Sequence, residues 1–152
     1  MKKKNKQIIS IIIIIFAVIA VAAAILFWVS KAFLGPKTDI YSGTWVWEKT
    51  IMNDGTAITP DKAGAFSLTF VMGGRVSGKT DCNDFTGNFA ITQEESIAFN
   101  QLASTEMFCP DSQENIFLDE IQNVDRYLFD KSGNLVFNLK FDSGSVYFKK
   151  QQ

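Results

Sequence analysis

Cys82 and Cys109 are the two cysteines of the 152-residue chain, and their chemistry leaves three alternatives. They could form a structural disulfide, remain as free buried thiols, or act as a redox pair. A reactive thiol is disfavoured because the sequence has neither a C-x-x-C spacing nor a histidine to lower a thiol pKa. We therefore predict a disulfide, which would close a loop of about 28 residues and stabilise the fold by about 3.5 kcal/mol.

Asp81, Asn83 and Asp84 crowd together in a way that suggests a calcium loop or a carboxylate pair for hydrolysis. An EF-hand loop beginning at Asp81 would need an oxygen ligand at its fifth position and a carboxylate at its twelfth, where the chain has Phe85 and Thr92. The absence of histidine also removes the commonest general base and the usual zinc ligand. The sequence therefore predicts a solvated acidic turn and a protein without catalytic residues, metal or cofactor.

Residues 73–80 satisfy the phosphate-binding pattern G-x-x-x-x-G-K-T, which would place Lys79 on phosphates and Thr80 on magnesium. That loop works only at the start of a helix, where backbone N–H groups point at the phosphates. Residues 81–87 are instead turn-forming and lack a helical apolar stripe. We therefore predict a β-hairpin with Gly73 and Gly74 in the turn, and no nucleotide binding.

The elements that position these residues are mostly strands, because apolar side chains recur at every second position. The alternation continues through Leu135, Phe137, Leu139 and Phe141, which are all predicted to face the interior. Turn residues separate the segments, as in 132–134 and 142–144. The predicted class is mainly β, with about eight strands, near residues 45–47, 66–70, 75–80, 88–91, 96–99, 124–129, 135–141 and 146–148.

One helix of about twelve residues is predicted after Pro110. Asp111 lies three residues before Glu114, a spacing that resembles a capping box. Phe117, Ile121 and Val124 then recur at helical spacing. A single amphipathic helix among eight strands is expected to cover an open edge or one mouth of a curled sheet.

The N-terminal region carries a second kind of signal. Residues 1–7 form a basic end, and residues 8–30 are the predicted anchor. Its apolar part, residues 8–29, reaches about 33 Å as a helix, which is enough to cross a bilayer of roughly 30 Å. A cleaved signal peptide is the alternative, but its apolar region is usually about 7 to 15 residues long. We predict an uncleaved, single-pass anchor in the cytoplasmic membrane with its N-terminus inside.

Beyond the anchor, residues 31–41 are predicted to be a tether and residues 42–149 an extracytoplasmic domain. Beyond residue 30 the chain has 11 basic and 16 acidic residues, which give this part a net charge of −5. Such a charge disfavours nucleic-acid binding, since phosphate contacts need clustered lysine and arginine.

Several short motifs follow one another along the chain, with the positions Gly43, Trp45, Gly74, Gly78, Cys82, Asn83, Gly87, Leu102, Ser104, Thr105, Met107 and Cys109. Their order resembles that of the META domain family, of the HslJ-like bacterial heat-shock type. The resemblance covers residues 42–149 and departs from the family at Asp81, where the family usually has glycine. It implies a small, conical, barrel-like antiparallel sheet with one helix, and links to heat-inducible expression and antibiotic resistance, with no established catalytic residues.

Physical roles can be predicted for some of these positions. Gly78 and Gly87 bracket the Cys82 loop and are expected to permit tight backbone conformations, while Asn83 is expected to hydrogen-bond the loop internally. Thr105 and Met107 are expected to pack beneath this loop. Trp45 and Trp47 are expected in the core, or else lining a ligand mouth.

The predicted function is that of a non-enzymatic, membrane-anchored envelope protein in stress response or antibiotic tolerance, acting through an envelope protein partner whose identity is unknown. The alternative is a barrel that binds a lipid or another small apolar ligand. The abundance of phenylalanine favours a filled interior, because large rings occupy the space that a ligand would need.

Overall fold

The computed structural model describes residues 15–27, 39–92 and 95–151, and the chain divides into two compact units, Met1–Lys37 and Thr38–Gln152. In the first unit, residues 15–27 form a helix, α1, with exposed side chains. Among the described residues, no helix is both long enough and apolar enough to span a bilayer. The predicted basic end 1–7, both ends of the predicted anchor (8–14 and 28–30) and tether residues 31–38 lie outside the described residues.

The second unit is mainly β, as predicted. Its helix, α2, is Glu114–Gln122, and a short 3-10 turn spans Lys140–Asp142. The strands are β1 (Thr44–Met52), β2 (Ala57–Ile58), β3 (Ser67–Val71), β4 (Arg75–Lys79), β5 (Asp84–Ile91), β6 (Ile97–Ser104), β7 (Val124–Phe129), β8 (Leu135–Leu139) and β9 (Gly144–Lys150).

Eight of the strands form one antiparallel half-barrel in the order β6-β5-β4-β3-β1-β9-β8-β7, and the two-residue strand β2 pairs with β1. The two terminal strands, β6 and β7, approach each other through an isolated bridge between Ser96 and Arg126. The Ser96 hydroxyl also donates to the Asp125 carbonyl at 3.2 Å. The sheet therefore curls almost closed at this point.

The two ends of the half-barrel differ. Thr44 pairs with Thr69 near the entry of the chain, where the Trp45 indole donates to the Ile40 carbonyl at 2.8 Å. Met52, at the other end of β1, pairs with Gly144 beside the β8–β9 turn. We call the first the entry end and the second the helix end, because α2 and the Cys82 turn lie at the latter.

The core lies between the sheet and α2. Trp45 and Trp47 point inward from β1, and a bulge between Trp47 and Lys49 then turns Thr50 inward. Phe117 and Ile121 from α2 are fully buried against the sheet. Other fully buried large side chains are Phe66, Leu68, Val76, Phe85, Ile97, Leu135, Phe137 and Phe148.

Two predicted features of the β8–β9 region differ from the structure. Strand β8 ends at Leu139, and Phe141 does not continue the inward alternation. Its φ is 57°, Asp142 follows at φ 54°, and the Phe141 side chain is 100% exposed. The prediction that Phe141 faces the core is therefore wrong, because the chain turns within the 3-10 segment before reaching it.

The predicted start of the helix is also wrong in detail. Helix α2 has nine residues, begins at Glu114, and has Gln113 at the N-cap without a side-chain capping bond. Asp111 has φ 62° and lies in the preceding turn, so it forms no capping box. Val124 belongs to β7, although it is buried as the helical pattern predicted.

Candidate functional site

Asn83 is the centre of a polar network at the helix end and is only 5% exposed. Its Oδ1 accepts hydrogen bonds from the Thr105 hydroxyl at 2.7 Å and from Met107 N at 2.9 Å. Its Nδ2 donates to Met107 O at 3.1 Å and to Glu114 Oε2 at 2.9 Å. Two acceptor bonds and two donor bonds use the whole capacity of the amide. Asn83 therefore ties the β4–β5 turn to the segment after β6 and to α2.

Thr80 supports the same turn from the end of β4. Its Oγ1 accepts Asn83 N at 2.7 Å and Cys82 N at 3.2 Å. The same hydroxyl is 2.7 Å from Glu114 Oε2 and can donate to it. The Glu114 carboxylate thus accepts hydrogen bonds from Thr80 and Asn83, and these bonds hold it against the β4–β5 turn.

Asp81, the position at which the motif departs from glycine, contacts the start of α2. Its Oδ1 accepts the Ser112 hydroxyl at 2.6 Å, and its Oδ2 accepts Gln113 N at 3.0 Å. The Ser112 Oγ in turn accepts Glu114 N at 3.1 Å. The negative charge of the Asp81 carboxylate stabilises the positive end of the helix dipole at the N-terminus of α2. Asp81 and Ser112 therefore do the capping that the sequence assigned to Asp111.

Cys82 and Cys109 form a disulfide with a Cα–Cα distance of 5.9 Å, which confirms the prediction. The bridge joins the β4–β5 turn to the loop at residues 105–113, and the Asn83 bonds fix the same loop at a second place. The loop nevertheless exposes 63% of Met107 and 91% of Phe108. The prediction that the Met107 side chain packs beneath the loop is wrong, because only its backbone takes part in the network.

Gly78 and Gly87 act through close packing and not through a turn. A Cβ on Gly78 would lie 2.0 Å from Ser67 O and 2.5 Å from the Phe85 ring, and one on Gly87 would lie 2.4 Å from Leu102 Cδ2. Both glycines are in strands and neither has a positive φ, so the expected role in permitting tight backbone conformations is corrected to one of close packing.

The remaining motif positions are spread over both ends of the half-barrel. Gly43 and Gly74 are at the entry end, and Gly74 has φ 77° in the β3–β4 turn, where a Cβ would lie 2.8 Å from Phe89 O. Ser104 pairs with Phe85 near the helix end. Trp45 and Leu102 are in or against the core. The structure therefore gathers Cys82, Asn83, Thr105, Met107 and Cys109 into one site and leaves the other positions outside it.

The phosphate-loop pattern forms the predicted hairpin. Gly73 and Gly74 make the turn with positive φ, and strand β4 follows. No helix follows Thr80 in the described part of the chain until α2. Lys79 instead lies 3.9 Å from Asp84 across the β4–β5 hairpin, with both side chains largely exposed.

A second polar cluster lies in the core below α2. The Trp47 indole donates to Thr50 Oγ1 at 3.1 Å, and the Thr50 hydroxyl donates to Glu120 Oε2 at 2.6 Å. Glu120 Oε1 is buried without a hydrogen-bond partner. Burial raises the pKa of this carboxyl, and the Thr50 hydrogen bond opposes the rise only in part.

The chemistry available at these clusters is mainly that of hydrogen-bond acceptors already matched to internal donors. Within residues 15–27, 39–92 and 95–151, no group of three or more histidine, cysteine, aspartate or glutamate side chains could hold a metal ion. Sequence reasoning considered Thr80 and Glu114 only for a phosphate loop and a capping box, and it missed Thr50 and Glu120. Their only signal was a polar residue at a position that the periodicity assigns to the buried face, as Glu120 shows beside Ile121.

Comparison with known proteins agrees with this fold. A family model described as the META domain matches residues 38–152. No curated protein matches the chain. A protein from Burkholderia xenovorans, solved by NMR, is 24% identical, with a TM-score of 0.61, over 74% of this chain and 84% of that one. A crystal structure of a DUF4847 family protein from Bacteroides vulgatus is 18% identical, with a TM-score of 0.57, over 74% of this chain and 96% of that one.

Proposed function

The chain belongs to the META domain family, and from this premise we propose that it is a membrane-anchored, extracytoplasmic member that acts by binding another envelope protein and not by catalysis. The single observation that carries the proposal is the Cys82–Cys109 disulfide. Disulfides persist in oxidising compartments and are rare in the cytosol. A bridge that holds the main polar site together supports a place outside the cytoplasmic membrane.

The N-terminal sequence supplies the attachment in this proposal. Residues 8–30 are apolar apart from Ser10 and Ser30, and they follow four lysines in residues 1–7. Lysines before an apolar segment favour retention of that end in the cytoplasm. The domain at residues 38–152 would then lie on the outer side, attached by the intervening segment.

Binding is favoured over catalysis because the polar groups are already engaged. The carboxylates of Asp81 and Glu114 and the amide of Asn83 each accept or donate bonds within the fold. The interior is filled by rings such as Phe66 and Phe117, whose centroids lie 5.1 Å apart. No observation therefore favours the apolar-ligand alternative, and the outer surface is what a partner would contact.

We assign the domain a role in envelope stress response or antibiotic tolerance, as its family resemblance suggests. The test compares a deletion strain, the same strain with the full chain, and the same strain with residues 31–152 alone. Only the full chain should restore growth under heat and envelope-directed antibiotics, because only it places the domain outside the membrane. Equal rescue by residues 31–152 kept in the cytoplasm would contradict the proposal.

A further inference from the structure

The helix end exposes apolar side chains on both sides of α2. Met107 and Phe108 precede the helix in the sequence and are exposed. Phe141, also exposed, lies near the other end of the helix, because the neighbouring Lys140 N donates to Asn123 O at 2.8 Å just beyond the helix C-terminus. Ile116, in the first turn of α2, is 43% exposed and lies between Phe108 and Phe141 in the sequence. We call Met107, Phe108, Ile116 and Phe141 the helix-end surface.

Folding does not account for Phe141. The ring is fully exposed, and the residue has a left-handed backbone conformation that costs every side chain with a Cβ. Asparagine or glycine would suit this turn better on both grounds. Outliers of this kind cluster at functional sites, where binding gives a reason to keep them.

Phe108 is presented in a different way. It precedes Cys109, so the disulfide holds its backbone against the β4–β5 turn, and the Asn83 amide fixes the backbone of Met107 on its other side. The ring is 91% exposed on a loop anchored at both neighbours. A rigid, exposed aromatic residue of this kind is typical of the anchors that dominate binding energy at interfaces.

The surroundings of this surface are acidic. Glu106, Asp111, Asp119 and Asp142 are all exposed near its members. Lys140 is the basic residue of these segments, and its ammonium group donates to Gln122 O at 3.0 Å at the C-terminus of α2. The field above the surface is therefore negative and attracts positively charged groups.

We infer that the helix-end surface binds a segment of another protein that combines apolar side chains with lysine or arginine. The inference rests on the proposed function and names its site and the chemistry of its partner. Helix α2 has nine residues and is about 13 Å long, so a segment that follows the helix from its first turn to its C-terminus must extend at least that far. An anionic membrane or a second copy of this acidic surface would be repelled by the same charges.

The test uses photo-cross-linking of the full chain in the membrane of cells that make it. Benzoylphenylalanine replaces Phe108 or Phe141 in turn, and a third chain carries it at Met72, which is 80% exposed at the entry end. Positions 108 and 141 should give the same adduct, about tenfold more than position 72, with the cross-linked partner peptide rich in basic and apolar residues. High salt applied to isolated membranes before irradiation should lower the yield.

A matched pair of variants checks the energetic role of the rings. Phe141→Asn keeps the turn, and Phe108→Ala leaves the anchored loop, so each should lower the adduct formed from the other position without loss of the folded domain. Adducts from positions 108 and 141 to lipid or to a second copy would overturn the inference. Adducts from position 72 alone would overturn the surface but leave the proposed function, whereas no protein adduct from any position would overturn both.

Discussion

At the scale of single residues, Phe141 combines a backbone conformation that costs stability with a side chain that the folded core does not use. Its ring contributes nothing to the core, being fully exposed, while its φ of 57° places Cβ against the backbone. The turn around it is held by other groups, since Ser143 N donates to Lys140 O at 3.3 Å and Asn53 N donates to Ser143 O at 3.0 Å. The conformation therefore does not depend on the phenyl ring.

Phe141→Asn should raise the free energy of unfolding by about 0.5–1 kcal/mol, because asparagine tolerates the left-handed conformation. Urea denaturation of the purified chain measures the change. Phe108→Ala is the matched control, since it also removes an exposed ring but relieves no left-handed strain, and its stability should stay the same. A loss of stability in Phe141→Asn would show that the ring supports the fold.

Asn83 is the opposite case, a buried residue whose four side-chain hydrogen bonds join three segments. Asn83→Ala should lower the free energy of unfolding by about 3 kcal/mol, because several buried partners lose their bonds together. Asn88→Ala is the control, since the exposed Asn88 amide donates only to Gln101 Oε1 at 2.9 Å. Similar denaturation midpoints for the two variants would contradict the role of the network.

Glu120 should make the free energy of unfolding depend on pH. Because burial raises the pKa of this carboxyl above its ordinary value of 4.5, the protonated form stabilises the fold at low pH, and this stabilisation is lost as the pH rises through the raised value. Glu120→Gln has no such charge and keeps an acceptor for the Thr50 hydroxyl. Its stability relative to the native chain should therefore increase between pH 4 and pH 7, by about 1 kcal/mol. A pH-independent difference in chemical denaturation would show that Glu120 does not titrate in this range.

At the scale of elements, the strands could be predicted because each has one buried face. Strand β7 has the predicted bounds, 124–129, although a register shift between Val124 and Arg126 interrupts the alternation before Tyr127 and Phe129 resume it. Strands β5 and β6 are longer than predicted, because polar residues such as Asn100 and the left-handed Gln101 interrupt the pattern where a bulge occurs. The apolar periodicity of one segment carries no information about the hydrogen bonds that a neighbouring strand makes to it.

The helix and its site show a second limit of sequence reasoning. The cysteines could be paired on chemical grounds, but the donors and acceptors around them come from residues that are 22 to 34 positions apart in the sequence, as in the Thr105–Asn83 and Thr80–Glu114 bonds. Asp81 departs from the family motif, but its hydrogen bond to the backbone of Gln113 at the start of α2 joins residues 32 positions apart and has no local signature in the sequence. Long-range hydrogen bonds leave no periodic trace in the sequence.

The Cys82–Cys109 disulfide should stabilise the folded domain strongly, because it closes a loop across a sequence separation of 27 residues. Reduction should lower the free energy of unfolding by about 3.5 kcal/mol through the added entropy of the unfolded chain. The double variant Cys82→Ala with Cys109→Ala should have the stability of the reduced native chain and should not respond to reductant. Equal stability of the oxidised and reduced native chain would mean that the Asn83 network alone holds the loop.

At the scale of the whole molecule, charge and apolarity are divided along the chain. Residues 1–30 contain four lysines and no acid, whereas residues 38–152 contain 9 basic and 16 acidic residues, a net charge of −7. The four lysines at the N-terminus fit the proposed topology, in which that end stays in the cytoplasm. The division of charge also explains why overall composition, with a net charge of −1, conceals both parts.

The placement of the domain outside the membrane is the central claim, and trypsin added to intact spheroplasts tests it most directly. Lys31 and Lys37 lie between the apolar segment and the folded unit and offer cleavage sites there. We predict that the full-length band is replaced, without permeabilisation, by a fragment close to residues 38–152, while a cytoplasmic marker protein stays intact. A full-length chain that is cut only after the membrane is permeabilised would contradict the account.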